Sequence, residues 1–318
     1  MTNTTSSTAD LVTIGESMGS LSSTEHGPLG HTRTLRLRTA GAEANVAIGI
    51  QRLGLQSLWA GRVGDDPIGD LVVRELLAEG VHVRASRDDA PTALMIKERR
   101  TSEVTQVHYW RQDSAGSRTS EKDVPEAEIR NARVLHLTGV TAALGHGPRR
   151  ALWKAIEIAR GERVPVSFDV NFRSRLWSAS EAGPVLRDVI KHVDILFAGN
   201  DEASLLTSHR DGAALRDLSR LGPSSVLLKK GAHGSSALIG HTIFDHPGYT
   251  AISIDAVGAG DAYAAGYLAG MLLDWAPEQR LKTASRLGAI AISTDGDWEG
   301  LPRLAELTRF SDPEPVQR

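Results

Sequence analysis

The feature that most restricts what this chain can fold into is an alternation. Short, apolar, β-rich runs take turns with helical patterns over most of its length. The runs "DLVTIG" (10–15), "SLWAGRVG" (57–64), "RVLHLTG" (133–139), "PVSFDVN" (165–171), "DILFAGN" (194–200), "SVLLKKG" (225–231) and "SALIG" (236–240) read as strands. Between them, "EANVAIGIQRLG" (43–54), "IGDLVVRELLAEG" (68–80) and "GPRRALWKAIEIARG" (147–161) space their apolar residues for a helix. Gly54 and Gly80 stand where a glycine closes a helix. Strands that alternate with helices in this rhythm pair in parallel and are covered on both faces. The pattern therefore predicts an α/β fold of three layers, a mostly parallel central sheet between helices. Sites in such sheets lie beyond the carboxyl ends of the strands, where the N, D, G and K residues of these runs fall.

Two segments, 16–38 and 91–113, break the rhythm with alternating patterns and no helical spacing. They read as β-ribbons that pair into a small sheet, a lid inserted in a domain spanning about residues 10–310. Residues 1–9 read as a disordered tail and 311–318 as a C-terminal tail. Apolar strand faces in "LRLR" and "ALMI" would be covered if two subunits paired their lids, which points to a homodimer.

Composition removes whole classes of function. The 318 residues carry a formal net charge of −3 with acids and bases intermixed, so no face for nucleic acid is expected. Cysteine is absent, which rules out disulfides, thiolate metal sites and a thiol nucleophile, and fits a cytoplasmic protein. No apolar run approaches membrane-spanning length, and "MTNTTSSTAD" has no signal-peptide pattern.

The stretch "DAVGAGDAYAAGYLAGML" carries the chemistry. Gly258, Ala259 and Gly260 let the backbone turn sharply at the opening of a helix, where free N–H groups make a site for an anion. The helix dipole alone would favour an acid at Asp261. It would not call for the small residues before it. A carboxylate beside an anion hole can take a proton from a substrate hydroxyl while the amides hold phosphoryl charge.

This stretch resembles the second signature of the ribokinase (PfkB-type) sugar kinases, D-T-x-G-A-G-D, with Ala256 in place of the threonine. The resemblance makes Asp261 the catalytic base and Gly258, Ala259 and Gly260 the anion hole. "AGAEANVAIGIQRLG" (40–54) resembles the first signature, with Ala40 replacing its first glycine. It implies that Gly41 lets substrate approach and that Asn45 bonds sugar hydroxyls. On its own the same stretch could be a glycine turn and a helix-opening asparagine. "LLKKGAHGS" (227–235) resembles a K-x-G-x-x-G nucleotide stretch, read with Lys230, Gly231 and Gly234 in register. "GNDEASLL" (199–206) resembles N-x-x-E-A, where Glu202 would organise Mg²⁺ through water; Gly199 replaces the asparagine. "GDWEGLP" (296–302) lies where the family closes its adenine pocket. The likeness runs from about residue 10 to 302. It implies a ribokinase-like fold with ATP and Mg²⁺ as cofactors, and leaves a monovalent cation open.

Within the family, the chain resembles the 2-keto-3-deoxygluconate kinases in "GAEANVA", "VHYWRQDSAGS" and "FDVNFRSRLW". The likeness implies that Tyr109, Arg111 and Arg173 face the substrate, with Asn171 near the phosphate path. Arginine offers a planar fork for a carboxylate. Ser20 stands where ribokinases hold an aspartate, and its neutrality suits an anionic substrate. Met95 replaces a tyrosine that often touches the sugar, which leaves the identity of the sugar acid open. The alternative is a kinase for a neutral sugar such as fructose or ribose. A distant one is a serine hydrolase built on "GESMG" (15–19), whose nucleophile elbow must run straight into a helix.

Overall fold

The computed structural model describes residues 9–307 apart from Glu103, Ser253 and Ala256. The expectations for residues 1–8 and 308–318, and the alanine at 256, lie outside those residues. The strands are β1 (Leu11–Ile14), β2 (Met18–Ser23), β3 (Leu35–Ala40), β4 (Ser57–Gly64), β5 (His82–Asp88), β6 (Leu94–Arg99) and β7 (Thr105–Trp110). They continue with β8 (Val134–Thr138), β9 (Val166–Asp169), β10 (Ile195–Gly199), β11 (Ser225–Lys229), β12 (Ser235–Ile239) and β13 (Thr242–His246).

One sheet runs in the order β13-β12-β11-β10-β9-β8-β1-β4-β5. From β11 to β5 every pairing is parallel, and β12 and β13 continue it antiparallel. Each predicted strand forms. β5 and β13 were not legible as strands, and both are edges whose side chains are largely half-buried or exposed. Edge strands lack the continuous apolar run of a central one.

Successive side chains on a strand point to opposite faces, so each strand feeds two cores. Val12, Ile14 and Phe168 pack with residues of the helices His146–Gly161, Ala179–Ile190 and Asp211–Arg220. Leu11, Trp59 and Phe197 pack on the other face with the helices Ala42–Arg52, Pro67–Ala78, Ala259–Leu272 and Pro277–Ile292. Helix Ala259–Leu272 is buried on all sides, which accounts for its small residues. A Cβ on Gly266 would sit 2.9 Å from Ala284 Cα, and one on Gly49 2.6 Å from Ala265 Cβ. The helix is thus clasped between its two neighbours.

The two segments that break the alternation form a separate four-stranded sheet, β3-β2-β6-β7. Met18, Ala40, Ala93 and Met95 are buried together, with Val107 and Tyr109 against them. The apolar faces divide accordingly. Leu35 and Leu37 of "LRLR" stay 37% and 47% exposed, whereas Ala93 and Met95 of "ALMI" are covered within the sheet. Directly after Ser17 the chain enters β2 at Met18, so no strand-to-helix elbow exists at that serine. Its hydroxyl donates instead to the Ala40 carbonyl at 3.1 Å. The hydrolase reading falls with that geometry.

Candidate active site

Residues far apart in sequence gather at the carboxyl ends of β8 to β11 because parallel strands all end on one edge. Asp169 closes β9, Lys229 closes β11, and Glu202 follows β10 by three residues. The turn 257–260 lies against this edge. Gly258 adopts φ 84°, a left-handed conformation that favours glycine, and caps helix Ala259–Leu272. A Cβ there would lie 2.1 Å from the Asp297 carbonyl oxygen. The turn is therefore specified twice, by backbone conformation and by packing. It opens a helix whose first N–H groups have no partner within the helix.

Asp261, in the first turn of that helix, is buried. Asn45 Nδ2 donates to its Oδ2 at 2.8 Å, and Asn171 Nδ2 approaches Oδ1 at 3.4 Å. Burial pushes its carboxyl up to about 7; the Asn45 hydrogen bond opposes the rise, the Asp169 charge adds to it, and Arg173 and Lys229 limit it. A carboxylate that titrates near neutrality is matched to accept a hydroxyl proton. Asn45 is held in place through its helix, whose buried Glu43 accepts from Thr138 and Thr141 hydroxyls at 2.7 Å each. The amide oxygens of Asn45, Asn171 and Asn200 are buried acceptors with no partner. Asn171 sits at φ 40°, unusual for a residue with a side chain.

The lysine beside this acid is Lys229. Its Nζ spans the Asp169 carboxylate at 2.6 and 2.8 Å, and a Cβ on Gly260 would sit 3.2 Å from it. Burial opposes the lysine charge, but Asp169 and Glu202 outweigh it and hold its pKa above the usual value. Lys230 lies next in the chain, its Nζ 3.6 Å from Asp211, whereas K-x-G counted back from Gly231 lands on Lys229. Gly231 and Gly234 adopt φ 57° and 85° in the turn after β11, and Lys230 N–H donates to the Gly234 carbonyl at 2.8 Å. Glu202 uses its two oxygens on the N–H groups of Phe172 and Gly199, at 2.8 and 2.6 Å. It thereby shapes the loop that carries Asn171 and Arg173.

The expected substrate residues separate into two groups. Arg111 is bonded to Glu16, a carboxylate with 1% of its side chain exposed, and stacks over the Tyr109 ring at 5.4 Å. Glu16 also accepts from Ser114 Oγ at 2.8 Å, so the Arg111 charge is already answered. Arg173 is exposed, acts electrostatically on Asp261, and has no ion-pair partner among the described residues. Met95 pairs across the small sheet with Tyr109 and Ser20. Gly41 faces the backbone of Glu16 and Ser17, where a Cβ would meet Glu16 O at 2.6 Å. Packing of the chain on itself is enough to require glycine there. "GDWEGLP" places Trp298 in the core, its Nε1 donating to the Thr39 carbonyl at 3.3 Å.

Sequence reasoning missed Asp169, Lys229, Glu16 and the buried Lys97. The K-x-G spacing could have found Lys229. The other three declare themselves only through partners distant in the chain.

The pfkB family carbohydrate kinase model matches residues 8–304. The chain belongs to that family. As a carbohydrate kinase it is a phosphotransferase that acts on a sugar hydroxyl. It is 32% identical over 307 residues to a 2-dehydro-3-deoxygluconokinase of Bacillus subtilis, covering 95% of each chain. It is 31% identical over 296 residues to a 2-dehydro-3-deoxygalactonokinase of Haloferax volcanii, covering 91% of this chain and 93% of the other. A solved PfkB protein from Polaromonas sp. JS666 superposes with TM-score 0.86 at 32% identity, covering 94% of this chain and 99% of that one. The ribokinase-like architecture read from the sequence is the fold of this family.

Proposed function

We propose that this pfkB kinase phosphorylates a primary hydroxyl of a small sugar acid, 2-dehydro-3-deoxygluconate (2-keto-3-deoxygluconate) or a close epimer, with ATP as donor. The observation that carries the reading is Asp261: a buried carboxyl with a pKa of about 7, next to a glycine-capped helix start and between two asparagines. Asp261 accepts the hydroxyl proton as the substrate oxygen attacks the γ-phosphorus in line. The bond from phosphorus to the bridging oxygen of ADP breaks, and its electron pair leaves with ADP. Amides of residues 258–260 meet the charge on the transferred group, with Lys229 beside them.

Mg²⁺ fits the donors present. The unpartnered oxygens of Asn171 and Asn200 can accept from a hydrated ion, while Glu202 holds the loop between them. When bound, the metal neutralises phosphate charge. Arg173 is the cation available to a substrate carboxylate, and Arg111 stiffens the wall beside it through Glu16. The small sheet serves as a lid over the sugar, and a homodimer formed through it would cover Leu35, Leu37 and Trp110. No helix of the described residues is long and apolar enough to cross a membrane, and a cytoplasmic location is proposed with the metabolite substrates.

A coupled ATP-consumption assay over 2-keto-3-deoxygluconate, its galactose epimer, fructose, ribose and adenosine tests the reading. Faster turnover of a neutral sugar than of either acid would sink the acid assignment.

A further inference from the structure

The small sheet makes a buried ionic contact with the catalytic turn. Lys97 on β6 has 1% of its side chain exposed, and its Nζ lies 2.7 Å from Asp255 Oδ2 and 2.5 Å from Asp297 Oδ1. Asp255 leads into the anion-hole turn, its Oδ1 accepting from the Val257 N–H at 3.1 Å. Asp297 presents its carbonyl to the other side of that turn, 2.1 Å from where a Gly258 Cβ would stand. Asn45, which donates to Asp261, also acts on the Asp297 carboxyl and opposes the rise that burial gives it. The following residues are clamped by Arg52, whose Nη1 donates to the carbonyls of Trp298, Glu299 and Leu301 at 3.1, 3.0 and 2.6 Å. The turn therefore has an aspartate on each side, and one ammonium group bridges both.

Two buried carboxylates beside a cradle for phosphoryl charge repel each other and that charge. Stability alone does not explain them, because a buried ionic cluster is often matched or bettered by well-packed apolar residues. Removing only the cation would leave both acids uncompensated and free the turn to shift. The cation also comes from a telling place. Met95 lies two residues earlier on β6 and so shares its face, which joins the substrate side of the small sheet to the turn.

We propose that Lys97 is a positioning residue: a tethered cation, delivered by the small sheet, that holds Asp255 and Asp297 so that the 258–260 amides face the transferred phosphoryl group. The proposal rests on reading that turn as the anion cradle. With the ammonium in place, the two carboxylates need no free monovalent ion, and wild-type turnover is independent of added potassium or ammonium.

The test is Lys97→Ala, assayed with and without added cations. It is expected to lower kcat by about 100-fold, the lower end of the range for loss of an oxyanion-hole donor, with the KM for the sugar acid nearly unchanged. Ammonium or n-propylammonium should restore part of the loss and tetramethylammonium, too large for the cavity, none. Unchanged kcat, or a loss that no small cation reverses, overturns the proposal. Should Lys97→Ala not fold, Asp297→Asn keeps the Lys97–Asp255 pair and is expected to lose kcat with its Tm largely retained. Wild-type kcat in Asp297→Asn overturns it equally. A wild-type enzyme that phosphorylates no sugar would instead overturn the underlying kinase reading.

Discussion

Asn45 Nδ2 donates to Asp261 Oδ2 at 2.8 Å across 216 residues of sequence. That bond joins the two family signatures into one device. It orients the proposed base and opposes its raised pKa, while the Asn45 oxygen is left without a partner. A substrate hydroxyl can satisfy that oxygen. Replacement of Asn45 by Ala should therefore raise the sugar KM and move the pH-rate limb upward. A variant with wild-type KM and an unmoved limb would separate Asn45 from both roles.

Asp261→Asn keeps the shape of the side chain and removes the proton acceptor. Turnover should fall by about 10²- to 10⁴-fold, the range for a general base. Titration calorimetry should find ATP binding close to wild type. Near-wild-type turnover would show that another group takes the proton.

The acid limb of kcat/KM should fall at about pH 7, because only ionised Asp261 accepts a proton. Asp169 raises this pKa and Lys229 lowers it. Asp169→Asn should thus shift the limb to lower pH and Lys229→Met to higher pH. Stability runs the opposite way. A carboxyl whose folded pKa lies above its unfolded value of 3.8 favours folding fully below that value, and the contribution is lost as pH rises through about 7. Asp261→Asn should gain Tm relative to wild type over that window. Parallel Tm curves would contradict the shift.

The two arginines should respond differently. Arg173→Ala should raise the KM for a sugar acid much more than for a neutral sugar. Arg111→Ala strands the buried Glu16 and should destabilise the fold by about 3–5 kcal/mol, the usual cost of breaking a buried pair. Arg111→Ala/Glu16→Gln should recover much of that loss in a denaturation experiment. Equal KM effects of Arg173→Ala on both sugars would remove the argument for a carboxylate.

Gly258→Ala adds a Cβ at φ 84° and 2.1 Å from a backbone oxygen. The left-handed conformation alone costs about 1–2 kcal/mol for an L-residue. The turn has to move, so kcat should collapse together with a lower Tm. Retained activity would mean that the cradle tolerates displacement.

Local patterns carried most of the fold and the centre of the proposed site. The alternation of strands and helices, the ends at Gly54 and Gly80, and the helix opening at Asp261 all follow from dihedral preference and side-chain period, which act over a few residues. Charge pairing does not. The sequence by itself made Asp261 an acid in the first turn of a helix behind a glycine turn. Only the tertiary structure put Asn45 on it and gave it a pKa near neutrality. Likewise, "KK" at 229–230 offers two lysines, and parallel strand order put Asp169 against the first. Arg111 looked free until Glu16, 95 residues away, took its charge. Nothing in the sequence around Lys97 announces Asp255 and Asp297, which close over it from 158 and 200 residues away. Electrostatic partners are chosen by distance in space, and around Asp169 and Lys229 those distances are set by seven parallel strands that end on one edge.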